Sequence, residues 1–254
     1  MKRILFYSSV NSLELFKTQK FYQIDISILK DLGYDVLLSN RIFDSLLFWK
    51  YDILFSYFYR YSFFAALLAK CFGKKTYFTG GIDSLDSDYA SAFNYKIQAL
   101  FFKLCYWVAD SCIIVSQSDL KNIFKVSSLK KKLSYSEHVI NTKLFIADVP
   151  KEKIFTSIVW MGDEGNVVRK GVDKALQIFA ELKKIPEFVD YRFVIIGRKG
   201  EGEVLVRSII DKYNLKGSVE LKGEVSEEDK INLLKQSKYY FQLSLYEGFG
   251  LAAL

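Results

Sequence analysis

Residues 238–254 read KYYFQLSLYEGFGLAAL. Residues 239–245 form a short aromatic and apolar run, the composition of a buried strand. Tyr246-Glu247-Gly248-Phe249-Gly250-Leu251 then turns sharply, and a helical pattern starts at Leu251. A strand, a glycine turn and a helix start aim several backbone N–H groups at one point, where the helix dipole also favours negative charge. A phosphate suits that point. Glu247, a carboxylate at the turn, is suited instead to accept hydrogen bonds from the hydroxyls of a sugar or a ribose.

Working back from this stretch, the spacing predicts strands over 154–161, 191–196 and 219–222. Helices are expected over 170–184, 201–213 and 226–236, the last opened by Ser226-Glu227-Glu228-Asp229 in capping-box style. The first half has the same rhythm. Strands are expected at 2–9, 34–38, 52–56, 75–78 and 111–115, and helices at 19–32, 62–72, 89–109 and 116–125. Residues 11–17 read as a loop, and 43–49 as a short aromatic helix. Alternation of this kind implies an α/β protein with parallel sheets covered on both faces. Residues 148–153, charged and holding Pro150, read as a linker. The expected domains are 1–147 and 148–254.

The stretch SLYEGFGLAAL resembles the signature S-x-x-E-G-F-G-L-x-x-L-E of family 4 (group 1) retaining glycosyltransferases. Upstream, Arg169-Lys170-Gly171-Val172-Asp173 resembles that family's R-K-G-hydrophobic-D segment, and YSEHVINTKLF at 135–145 partly resembles the end of its first domain. The resemblance implies two Rossmann-like domains facing a cleft, the GT-B architecture. It also implies transfer of a sugar from a nucleotide-diphosphate donor, with retention and without a metal or other cofactor. Lys170 would contact the donor diphosphate and Glu247 the sugar hydroxyls, while Phe249, Gly250 and Leu251, with Gly248, would form the N–H cradle. The family often places an Arg just after the strand glycine. Here Asp163 stands at that position, and Arg169 is the candidate substitute. A second motif glutamate would fall just after Leu254. The expectation is therefore an incomplete second domain, and a 254-residue chain that by itself is inactive and prone to aggregate.

Three further stretches carry candidate chemistry. Arg169 and Lys170 are expected at a helix N-terminus, where an anion would offset their repulsion by the dipole; a solvated pair is the plain alternative. Gly197 ends a strand and opens the loop Arg198-Lys199-Gly200-Glu201-Gly202. In the resembled family this loop lies beside the nucleotide base; the runner-up is a dinucleotide turn, against which the lack of an acidic residue at the end of a following strand counts. Gly80-Gly81-Ile82-Asp83 follows the fourth strand, and ligands of open α/β sheets bind at such ends. The resemblance implies a polar residue near here that touches the reacting sugar, for which Asp83 is the candidate; a helix-capping or turn aspartate is the alternative. Asp86-Ser87-Asp88 has the form of a metal-binding D-x-D, in surroundings that lack the pattern of the fold using it.

Composition narrows the classes. The three cysteines, Cys71, Cys105 and Cys112, lie in apolar surroundings without paired spacing and read as buried packing residues of a reducing compartment. A single histidine, His138, argues against a Ser-His-Asp mechanism or a zinc site. No apolar run forms a signal-peptide core or a clean membrane span. Residues 1–147 hold 19 Lys and Arg against 12 Asp and Glu, whereas 148–254 hold 17 of each. The positive first half suggests a phosphorylated acceptor or an anionic membrane surface, and less readily nucleic acid, with a solvated surface as the alternative; the acceptor that the resemblance implies is a glycan or a lipid-linked one. Lys130-Lys131-Lys132 and the aromatics Phe43, Phe48 and Trp49 fit the membrane reading. The expected setting is cytoplasmic, peripheral on the inner face of the plasma membrane, in cell-surface polysaccharide or glycolipid synthesis. Two other classes stay open: a nucleotide-sugar-binding module without catalysis, and a dinucleotide-dependent oxidoreductase.

Overall fold

β1 (Arg3–Ser8) sends Ile4 and Phe6 into one core and Leu5 and Tyr7 into another, because successive strand residues point to opposite faces. The computed structural model that shows this describes residues 1–87, 90–146, 148–247 and 250. After β1 come α1 (Leu15–Thr18), α2 (Lys20–Asp31), β2 (Asp35–Ser39), β3 (Ile53–Tyr57), α3 (Ser62–Cys71) and β4 (Lys75–Thr79). α4 (Ala92–Val108), β5 (Ser111–Ile114), α5 (Gln117–Val126) and β6 (Leu133–Tyr135) follow. The six strands form one parallel sheet in the order β2-β1-β3-β4-β5-β6. One face packs Phe6, Phe55 and Tyr57 on Phe16, Tyr22 and Ile26 of α1 and α2. The other packs Leu5, Leu54, Phe78 and Cys112 on apolar residues of α3, α4 and α5. Both faces are covered, which is why the strands read as near-continuous apolar runs.

The second unit repeats the plan. β7 (Glu152–Ile158), α6 (Glu164–Arg169), α7 (Val172–Leu182), β8 (Arg192–Ile196), α8 (Glu203–Lys212), β9 (Val219–Gly223), α9 (Glu227–Gln236) and β10 (Ser237–Tyr240) follow in order. The sheet is parallel, ordered β10-β7-β8-β9. Phe155, Phe193 and Ile195 face Phe179 and Val206 of α7 and α8, while Ile154, Val194 and Ile196 face Leu233 of α9. Ser226 caps α9 by accepting the N–H of Asp229 at 3.0 Å.

Several expectations are corrected. Residues 11–17 are not all loop, since α1 begins at Leu15. The aromatic helix at 43–49 is two 3-10 turns, Ile42–Leu46 and Phe48–Lys50. The chain divides into Met1–Ile140 and Asn141–Leu254, earlier than the charged linker suggested. The reason is that the turn at Thr142–Phe145 packs on α9, and Asp148 pairs with Lys235 at 3.3 Å, so this segment belongs to the second unit. Cys71 is exposed at the end of α3, whereas Cys105 and Cys112 are buried.

Candidate functional site

The segment expected as one helix over 170–184 is two. Asp163 caps α6 by accepting the N–H of Asn166 at 2.7 Å, so helix starts six residues earlier than the periodicity showed. Arg169 and Lys170 therefore close α6 rather than open a helix. There the dipole favours cations, which removes the unfavourable placement expected of them. Gly171 follows with φ +67° and starts α7, whose first turn holds Asp173. A Cβ at Gly171 would stand 2.1 Å from the carbonyl oxygen of Leu243, so only glycine fits the junction without displacement.

That close approach brings in residues 241–247. The run expected as a strand to residue 245 leaves the sheet after Tyr240. Phe241 still donates its N–H to Thr156 O at 2.9 Å, and the Ser157 hydroxyl donates to Phe241 O. Beyond them the Leu245 N–H donates to Arg169 O at 2.8 Å, tying the segment to the end of α6 instead of to β7. Glu247 thereby reaches Lys170. Its Oε1 accepts from Lys170 Nζ at 2.5 Å, Gln242 Nε2 at 2.6 Å and Ser244 Oγ at 2.7 Å. The Lys170 and Glu247 side chains are 19% and 26% exposed, open to a ligand yet half shielded from water. Arg169 donates to Asn166 Oδ1 at 3.2 Å and to Tyr246 O at 3.4 Å, on the same junction.

Gln242 and Ser244 were not singled out from the sequence. Their signal was there: two polar residues at period two inside an apolar run, hence on one side of the extended chain. The Tyr240 hydroxyl donates to Gln242 Oε1 at 3.0 Å, which orients the amide so that its NH2 meets Glu247. Burial pushes this phenol up to about 12, so it remains a donor at neutral pH.

Gly197 also permits a close approach, but to the chain itself. Its φ is +130°, and a Cβ there would meet Val159 O at 2.1 Å. Around it the N–H groups of Glu201 and Gly202 donate to the carbonyls of Gly162 and Met161 at 3.0 and 3.2 Å. The loop is thus laced to the extension of β7. Gly250 has φ +76° beside Glu247. Gly248, Phe249 and Leu251 lie outside the described residues, as does Asp88 of the D-x-D stretch. Among the described residues no group of three His, Cys, Asp or Glu could hold a metal ion.

Asp83 belongs to the first unit. It is exposed and begins a one-turn 3-10 helix, Asp83–Leu85, just past β4. The loop is held by the buried Asp119 of α5, which accepts the Ile82 N–H at 3.3 Å. His138 lies in the same unit, lining a cavity of about 220 Å³ with Asp25, Phe55 and Thr79. Burial lowers its imidazole below 6.5 against the pull of Asp25, so at neutral pH it is uncharged. Lys130 lies over the Phe124 ring at 4.7 Å, and Lys132 donates to the Trp107 carbonyl at 3.0 Å.

Each unit is a parallel α/β sheet of the Rossmann-like kind found in GT-B glycosyltransferases, and the second carries a cation and a carboxylate side by side at the end of its last strand. Residues 165–254, the segment that contains this pair, match the family model of glycosyl transferases group 1. Three solved structures share the fold. The Anabaena protein HepE in complex with UDP and glucose is 12% identical, with a TM-score of 0.69, over 98% of this chain and 76% of that one. Sucrose-phosphate synthase from Thermosynechococcus elongatus is 15% identical, with a TM-score of 0.70, over 100% and 78%. The lipopolysaccharide outer core galactosyltransferase WaaB is 16% identical, with a TM-score of 0.57, over 98% and 76%. Comparison with curated proteins gives no match. Among the described residues no helix is long and apolar enough to cross a membrane.

Proposed function

We propose that this protein is a retaining glycosyltransferase that moves a hexosyl group from a nucleotide-diphosphate sugar to the hydroxyl of a glycan or lipid-linked acceptor. The supporting observation is the pairing of Lys170 with Glu247 at 2.5 Å inside the segment that matches group 1 glycosyl transferases. In the reaction the bond between the anomeric carbon and the leaving phosphate oxygen breaks, and a bond to the acceptor oxygen forms on the same face. The acceptor proton passes to the leaving phosphate, so no protein nucleophile is needed. Lys170 stabilises the charge that develops on the diphosphate, and Arg169 adds a second cation. Glu247 accepts hydrogen bonds from sugar hydroxyls once the donor diphosphate has drawn Lys170 away from it. Gly250, whose φ is +76° beside Glu247, belongs to the turn proposed to hold the donor phosphates. UDP-sugars are the first donors to try, because HepE is named in complex with UDP-glucose. The setting that suits such an acceptor is synthesis of a cell-surface polysaccharide or glycolipid.

A panel of nucleotide sugars incubated with the protein and lipid-linked or oligosaccharide acceptors tests the reading. Product with the anomeric configuration of the donor is expected. Lys170→Ala should lower turnover by about 10²-fold or more, the scale of losing one preorganised charge at a developing anion. Donor binding with no transfer to any acceptor would favour a binding module, and turnover unchanged in Lys170→Ala would remove this residue from the site.

A further inference from the structure

α4 is apolar on both sides. Its inward face buries Phe102, Cys105, Tyr106 and Val108 in the first core. Its outward face carries Phe93, Lys96, Leu100, Lys103 and Trp107, all exposed. At 100° per residue these five fall within an arc of about 80°, and they run about 21 Å along the helix. Phe93, Leu100 and Trp107 are 72%, 56% and 68% exposed, which is large for aromatic and leucine side chains on one stripe. A helix that is apolar on both faces is ordinarily buried, and nothing in the first unit covers this side among the described residues.

The charges around the stripe are mostly positive. Residues 90–133 hold seven lysines against two aspartates, of which Asp119 is buried and Asp110 is paired with Lys70 at 3.0 Å. Lys132 anchors the loop after α5 by donating to the carbonyls of Tyr106 and Trp107 at the end of α4. This places the neighbouring Lys130 and Lys131, both exposed, beside the Trp107 end of the stripe, together with the exposed Phe124 and Leu129. Aromatic and leucine side chains interleaved with lysines match the boundary of an anionic bilayer. Apolar groups enter the acyl region there while the ammonium groups reach the phosphates. The other exposed aromatic patch, Phe43, Phe48 and Trp49, differs. It lies beside the carboxylates of Asp44 and Asp52, and Phe48 is already stacked on Phe72 at 4.4 Å.

We propose that the outward face of α4, with the lysines after α5, is the surface by which this protein docks on anionic phospholipid membranes. The proposal does not depend on the donor reaction. Lys96 and Lys103 supply the attraction to phosphate, and Phe93, Leu100 and Trp107 the interfacial insertion.

Vesicle co-sedimentation tests it, with phosphatidylglycerol in phosphatidylcholine against phosphatidylcholine alone. Binding to the anionic vesicles only, weakened by salt, is expected. Each lysine near the surface contributes about fivefold to partitioning, so Lys96→Gln/Lys103→Gln should lower it by about 25-fold. Phe93→Ser/Leu100→Ser/Trp107→Ser should leave only a weak association that salt releases fully. All five positions are exposed, and circular dichroism and melting checks that both variants remain folded. Absent binding, or equal binding to neutral vesicles, would overturn the proposal. So would loss of binding in Phe43→Ser/Trp49→Ser with the α4 variants unaffected. A dimer that the apolar triple variant dissociates would assign the face to a second copy of the chain and likewise overturn it.

Discussion

Replacing Gly171 with alanine should damage both stability and transfer, and the structure sets the size of each effect. The backbone at Gly171 has φ +67°, which costs an L-residue about 1–2 kcal/mol. The new Cβ would lie 2.1 Å from Leu243 O, whereas ordinary contact begins at 3.4 Å, so residues 241–247 must move by about 1.3 Å (3.4 − 2.1). Overpacking of that kind costs about 1–3 kcal/mol more. The sum, about 2–5 kcal/mol, should lower the urea midpoint by about 1 M or more. Gly217→Ala is the control, because its φ is +85° but open space surrounds it. It carries only the conformational cost of about 1–2 kcal/mol. The displaced segment also carries Gln242, Ser244 and Glu247, and a misplacement of 1 Å in a site of this kind costs about 10²-fold in rate. Urea melts of the two variants, and transfer measured below the unfolding range, give the comparison. Gly171→Ala no worse than Gly217→Ala in both midpoint and turnover would refute the view that the junction positions Glu247 against Lys170.

Other outcomes follow from single contacts. The Asp110 carboxyl is opposed by burial, but the Thr76 N–H at 2.8 Å and the Lys70 ammonium at 3.0 Å outweigh this and hold it below 3.8. Its stabilisation is present above that value and lost as pH falls through the folded one, so wild type and Asp110→Asn should differ most at neutral pH and converge in acid unfolding curves. Burial pushes the Cys112 thiol up to about 12 and raises that of Cys105 as well. Iodoacetamide at pH 8 should therefore label the exposed Cys71 alone in the folded protein, read by peptide mass spectrometry; labelling of all three at equal rates would contradict the packing of β5 against α4.

The sequence alone determined the alternation of strands and helices, because the periods of the two elements are local and the apolar strands have nowhere to go but a sheet covered on both faces. It also marked Lys170 and Glu247 through short motifs whose spacing is itself local. Local spacing cannot say that residues 77 positions apart meet, and only the folded chain put the ammonium 2.5 Å from the carboxylate. The α6 start at Asp163 was likewise hidden, since a six-residue helix gives too little periodicity to read and is held by its cap and by packing. The departure of residues 241–247 from the sheet depends on the Leu245 N–H finding Arg169 O, a contact between distant segments. The stripe on α4 had the opposite history. Its period was in the sequence, but an apolar helix can be buried all round. Burial by neighbouring elements decides which side faces out, and that is settled only when α3, α4 and α5 close over one face of the first sheet.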